Sequence, residues 1–164
     1  MSVERFSAAS ILSQLKDFQR RTVNYVFERF YGANPTRRFL VADEVGLGKT
    51  LVARGIIART IEHLQDKVKR IDIVYVCSNA TIARQNINRL KVGGIHGFAM
   101  ATRLTLLPIH VKKLNQNAIN FISFTPGTAL DLKGQGGKVE ERALIYRILE
   151  KEPWNVGKGL LNLL

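Results

Sequence analysis

The chain has 164 residues, 46% of them hydrophobic and 23% charged, enough for one packed domain of ordinary globular composition. Twenty-five Lys and Arg against thirteen Asp and Glu leave a net charge of +12, a field that favours polyanions such as nucleic acid or acidic membrane surfaces. The single cysteine, Cys77, excludes a disulfide framework and suits a reducing, cytoplasmic compartment. No apolar run reaches the roughly 18 residues of a membrane span, and the amino terminus has no charged segment followed by an apolar one, as a secretory leader would. A soluble intracellular protein with no membrane partner is expected.

In chain order, Leu12, Leu15, Phe18, Val26 and Phe30 recur at broadly helical spacing between charged residues, which predicts one amphipathic helix over residues 11–31. Gly32-Ala33-Asn34-Pro35 ends it. Phe39-Leu40-Val41-Ala42 is an apolar run too short for a helix and predicts a strand. A Gly-rich loop follows, and then a helix over 51–64, which together make a strand, a loop and a helix. Ile71-Asp72-Ile73-Val74-Tyr75-Val76-Cys77 is rich in β-branched residues and predicts a second strand. A helix over 81–90 comes after it, with Ser78 and Asn79 as candidate caps.

Gly93, Gly94 and Gly97 break the chain, residues 102–114 have helical character around Pro108, and Ile119-Asn120-Phe121-Ile122-Ser123-Phe124 predicts a third strand. The Gly-rich stretch 133–138 reads as a flexible loop, residues 139–150 as a helix, and Trp154 as a core residue. Strands alternating with helices imply an α/β fold with a parallel sheet covered by helices on both faces. Only three clear strands are present, so the sheet is expected to be incomplete. Residues 1–36 form a helical segment and residues 37–164 the sheet-bearing part.

The chemistry concentrates in Asp43-Glu44-Val45-Gly46-Leu47-Gly48-Lys49-Thr50, continued by Leu51. A triphosphate needs several backbone N–H donors converging on it, and Gly46 and Gly48 let the backbone wrap where a Cβ would obstruct. The Lys49 ammonium can neutralise the β and γ phosphates. Thr50 can offer its hydroxyl to Mg²⁺ at a helix N-terminus, whose partial positive charge adds to the site. The alternative is a Gly-rich turn that happens to end in Lys-Thr, with Asp43 in the position where a phosphate loop usually has its first glycine. His63, His96 and His110 are far apart and have no helical metal-ligand pairing. Ser78 has no histidine and acid arranged for nucleophilic catalysis.

Ala42-Asp43-Glu44-Val45-Gly46-Leu47-Gly48-Lys49-Thr50 resembles the nucleotide loop of superfamily two helicases, specifically the Swi/Snf-like DNA-translocating ATPases, in which aspartate commonly takes the first position. The resemblance implies a P-loop NTPase fold, the amino-terminal RecA-like lobe, with ATP and Mg²⁺ as cofactors. Leu15-Lys16-Asp17-Phe18-Gln19 is similar to the family's upstream glutamine motif, which implies that Gln19 pairs with the adenine edge. Without the resemblance it is a solvated helix glutamine. Residues 74–81 with Arg84-Gln85 resemble the block that grips the DNA backbone, implying roles for Ser78, Asn79, Thr81 and Arg84. Helix capping and an exposed arginine are the other reading. Thr125-Pro126-Gly127-Thr128 resembles a later backbone-contacting loop and is of the form found in bacterial members. It implies DNA, or RNA, contacts from Thr125, Gly127 and Thr128, and is otherwise a plain turn.

Hydrolysis also needs an Asp for Mg²⁺, a Glu to orient water, and cations on the transferring phosphoryl group. The resemblance places the first two as Asp-Glu after an apolar strand. The only such pair here, Asp43-Glu44, already belongs to the phosphate loop. The expectation is therefore the front part of a larger helicase motor, lacking the acidic motif and the second lobe with its arginine fingers, that binds ATP and turns it over near background. The missing part of the same motor would be a partner. A short nucleotide- or DNA-binding regulatory module without turnover is the alternative.

Overall fold

The computed structural model describes residues 5–44, 46–92, 100–101, 114–124 and 139–151. Its elements are α1 (Ala9–Leu12), α2 (Asp17–Tyr31), α3 (Lys49–Leu64), β1 (Ile71–Val76), α4 (Ala80–Leu90), β2 (Met100–Ala101), β3 (Ile119–Phe124) and α5 (Val139–Glu150). The chain is a mixed α/β protein with a small parallel sheet in the order β1-β3-β2. β1 and β3 pair from Ile71 opposite Ile119 to Val76 opposite Phe124, and β2 joins the far edge of β3, with Met100 opposite Phe121. Residues 93–99, 102–113, 125–138 and 152–164 lie outside the description, and with them all but the last residue of the predicted helix over 102–114, the 125–128 and 133–138 loops and Trp154.

β3 is a near-continuous apolar run, and Ile119 to Ser123 are all buried, as expected of a central parallel strand. β1 alternates instead. Ile71, Ile73 and Tyr75 turn toward the main core with Ile61, Ile87, Leu90, Ile119 and Phe121, whereas Val74 and Val76 are 52% and 58% exposed. The prediction of a sheet covered on both faces therefore fails at β1, where no described helix covers the second face. Asn120 is fully buried and donates from Nδ2 to Asp72 Oδ1 at 2.8 Å and to the Leu114 carbonyl at 3.0 Å, fastening the register of the two strands.

Two further expectations are corrected. The single helix over 11–31 is two helices, because the chain turns through residues 13–16 and Lys16 is extended (ψ 157°) at the start of α2. The Lys16 N–H, which has no carbonyl to receive it at a helix start, donates to Gln19 Oε1 at 3.1 Å. The break lets Leu15 fold in beside Val23 and Val52. Second, residues 39–42 form no strand. A strand is held by a ladder partner, and the described sheet supplies none to this segment. Phe39 packs edge-on against Tyr25 and Phe30 of α2, with ring centroids at 5.8 and 6.5 Å, and Leu40 is 83% exposed.

α2 and α3 are held in close contact. A Cβ on Gly55 of α3 would lie 2.8 Å from Val23 Cγ2 and 3.1 Å from Leu15 Cδ1, so the helices approach where only glycine fits. Farther along, the Arg59 guanidinium lies 4.0 Å over the Phe27 ring and donates to Asn24 Oδ1 at 2.7 Å. His63, at the end of α3, packs against Phe27 and Tyr31. The N-terminal segment is tied to the same helix by a reciprocal pair, with Phe6 N–H donating to Gln65 Oε1 and Gln65 Nε2 donating to the Phe6 carbonyl, each at 3.0 Å.

Candidate functional site

The loop before α3 turns through two left-handed glycines, Gly46 at φ 92° and Gly48 at φ 79°. L-residues with a Cβ reach that region only at a cost. A Cβ on Gly46 would meet no atom within 4 Å, so the loop is open there, whereas a Cβ on Gly48 would fall 2.5 Å from Gln19 Nε2. Gly48 is also the N-cap of α3, and its carbonyl accepts from Leu51 and Val52 at 2.8 and 3.2 Å. The loop thus delivers Lys49 and Thr50 as the first two residues of a 16-residue helix, where N–H groups without helical acceptors and the helix dipole favour an anion.

Lys49 Nζ folds back over the loop and donates to the carbonyls of Asp43 and Glu44, both at 2.8 Å. One of its three N–H donors remains for another acceptor. Thr50 lies between two cavities. The larger, about 470 Å³, is bounded by Thr50, Arg54, Asn88, Arg89 and Lys91. The smaller, about 210 Å³, extends from Lys49 and Thr50 to Tyr75 and Asn86, where Asn86 Nδ2 donates to the tyrosine hydroxyl at 2.8 Å. Leu51 is 44% exposed beside them. Val45 is outside the described residues.

Gln19 is brought to the loop, but its amide faces inward. It is 4% exposed. Its Oε1 accepts from Lys16 N–H and its Nε2 donates to the Leu47 carbonyl at 3.0 Å. One amide hydrogen and one lone pair remain for a further partner. Here, therefore, Gln19 clamps the loop to α2.

Comparison of the chain with protein-family models, with curated proteins and with solved structures finds no match in any of the three.

The second group of predicted residues collects at the start of α4. Asn79 Oδ1 accepts from the N–H of Thr81 at 2.8 Å and of Ile82 at 3.1 Å, which is N-capping by a side-chain oxygen. Ser78, Thr81 and Arg84 are exposed nearby. Thr125, Gly127 and Thr128 are outside the described residues, so the structure does not place them against this group. Sequence reasoning passed over Arg54, Asn88, Arg89 and Lys91, although Arg54 Nε donates to the Lys91 carbonyl at 3.1 Å and joins α3 to the end of α4. The absence of any acidic residue from α4 was a legible signal for the last three. Only the tertiary fold brings in Arg54.

Proposed function

We propose that this chain binds ATP through residues 43–50, as the amino-terminal RecA-like lobe of a superfamily two DNA helicase or translocase. Lys49 and the loop amides hold the phosphates, and Thr50 meets Mg²⁺ through the nucleotide. The observation that carries the reading is the pair of left-handed glycines that places Lys49 and Thr50 at the head of α3. The residues fit a phosphate tail. The loop is open at Gly46, and Lys49 keeps a donor while held by two neutral carbonyls, which a phosphate can displace because its negative charge is the stronger partner for an ammonium. Mg²⁺ usually keeps several waters and takes few protein ligands beside the phosphates, so one hydroxyl suffices for a bound state. DNA backbone contacts are assigned to Ser78, Asn79, Thr81 and Arg84, and the loop at Thr125, Gly127 and Thr128 is the candidate second contact.

Isothermal titration with MgATP tests the loop. Saturable one-site binding is expected, with at least about a tenfold loss in Lys49→Ala, the scale of one charge-assisted hydrogen bond of about 1.5–3 kcal/mol. Binding that is unchanged in Lys49→Ala would refute the assignment.

A further inference from the structure

α4 carries Arg84, Asn88 and Arg89 on its exposed side and no acidic residue, while Ala83, Ile87 and Leu90 are buried behind them. Thr81, Arg84 and Asn88 follow one another at spacings of three and four residues, so they share a face. Lys91, the C-cap residue, continues the polar run. At that end the helix meets Arg54 of α3, and the 470 Å³ cavity there is lined by Arg54, Asn88, Arg89 and Lys91 together with Gly48, Thr50 and Leu51 at the head of α3. None of the residues bounding the cavity is acidic. Arg54 engages its Nε with the Lys91 carbonyl, and its two terminal nitrogens make no hydrogen bond among the described residues. Eleven residues of helix span about 16 Å at 1.5 Å per residue, several times the separation of two charges in direct contact. A ligand that uses both ends must carry its negative charges in a row.

We propose that the exposed face of α4, from Thr81 to Lys91, is a track for the backbone of a single nucleic-acid strand. One phosphate is received at the far end by Arg54 and Arg89, which both line the cavity. Repeated phosphodiesters match the row of donors, and the cavity is of a size that takes one nucleotide-scale group, not the width of a duplex. The proposal rests on the nucleic-acid half of the reading above and extends it. The contact does not end at the first turn of α4 but runs its length and crosses to α3. Contacts of this kind go to phosphate and carry no base preference.

The test is fluorescence anisotropy of a labelled 20-mer of thymidylate with the full chain over a range of salt. The variants are Arg89→Glu, which is exposed and leaves the core intact, and Arg29→Glu near the end of α2, a control with the same change in net charge. The expected result is at least about a tenfold weakening in Arg89→Glu at low salt, and a salt slope shallower by about 0.7 for each phosphate no longer neutralised. Arg29→Glu should show much less of either. Equal effects of the two variants would overturn the proposal, since bulk charge would then account for binding while the nucleic-acid reading stood. Oligonucleotide binding that is absent from the wild type would overturn both, and the MgATP titration would judge the loop separately. Binding to phosphatidylserine vesicles without oligonucleotide binding would likewise overturn it.

Discussion

Gly48→Ala should be among the most damaging small substitutions in the loop, and the structure says how the damage divides. The residue has φ 79°, a left-handed conformation that costs an L-residue about 1–2 kcal/mol. The added methyl would also lie 2.5 Å from Gln19 Nε2, so the glutamine must withdraw and give up its bond to the Leu47 carbonyl, a further loss of about 0.5–1.5 kcal/mol. The expected total is about 2–3 kcal/mol. Gly46→Ala has a similar φ of 92° but open space around the methyl, so only the backbone part, about 1–2 kcal/mol, applies. Urea unfolding followed by circular dichroism measures both. The decisive comparison is a double-mutant cycle with Gln19→Ala. With the clashing amide already gone, Gly48→Ala should cost only about as much as Gly46→Ala, giving a coupling of about 1 kcal/mol. An unchanged cost of Gly48→Ala in the Gln19→Ala background would refute the clamp.

Asn79→Ala removes the acceptor for Thr81 and Ile82 N–H and should lower stability by about 1 kcal/mol, read as a shift in the urea midpoint. Asn79→Asp, which keeps an oxygen there, should cost little. Asn120→Ala leaves Asp72 Oδ1 and the Leu114 carbonyl without their donor at the centre of the sheet, with an expected loss of about 1–3 kcal/mol. A loss no larger than that of an exposed-site control would show that the Asp72–Asn120 pair does not hold the strands in register.

Much of this architecture was legible in the sequence, and the exceptions have physical causes. β1 and β3 were readable because β-branched and aromatic runs bounded by turn residues suit a pleated, buried surface. α5 was readable from its periodicity alone, and α4 from periodicity together with the Asn79 cap. The strand over 39–42 was not, because four apolar residues specify only that they will be buried if a partner exists. The aromatic patch of α2 competes for Phe39, and no described strand competes for its backbone. The break at residues 13–16 was hidden because Leu15 stays in phase with the apolar face on either side of it. In the loop, the sequence singled out Gly46 and Gly48, both left-handed in the structure, and Lys49 and Thr50, which begin α3. The inward turn of Gln19 and the approach of Arg54 to Lys91 depend on how α2, α3 and α4 pack, which no local window contains.

The absence of a strand before the loop at residues 43–50 changes what positions it. With residues 39–42 outside the sheet, the loop is located from its other side. Gly48 begins α3, α3 lies in close contact with α2 at Gly55 and Val23, and α2 reaches back through Gln19 to Leu47. Lys49 closes the circuit by holding the carbonyls of Asp43 and Glu44. A phosphate that draws the ammonium away would release the stretch before Gly46 while leaving Gly48 clamped. Anion binding should therefore act on residues 43–46 and spare the α2–α3 contact. Amide hydrogen exchange with and without MgATP distinguishes the two segments. Changed protection in 43–46 with none along α2 is the expected pattern, and uniform protection across both would mean that the loop and the helix pair move as one body.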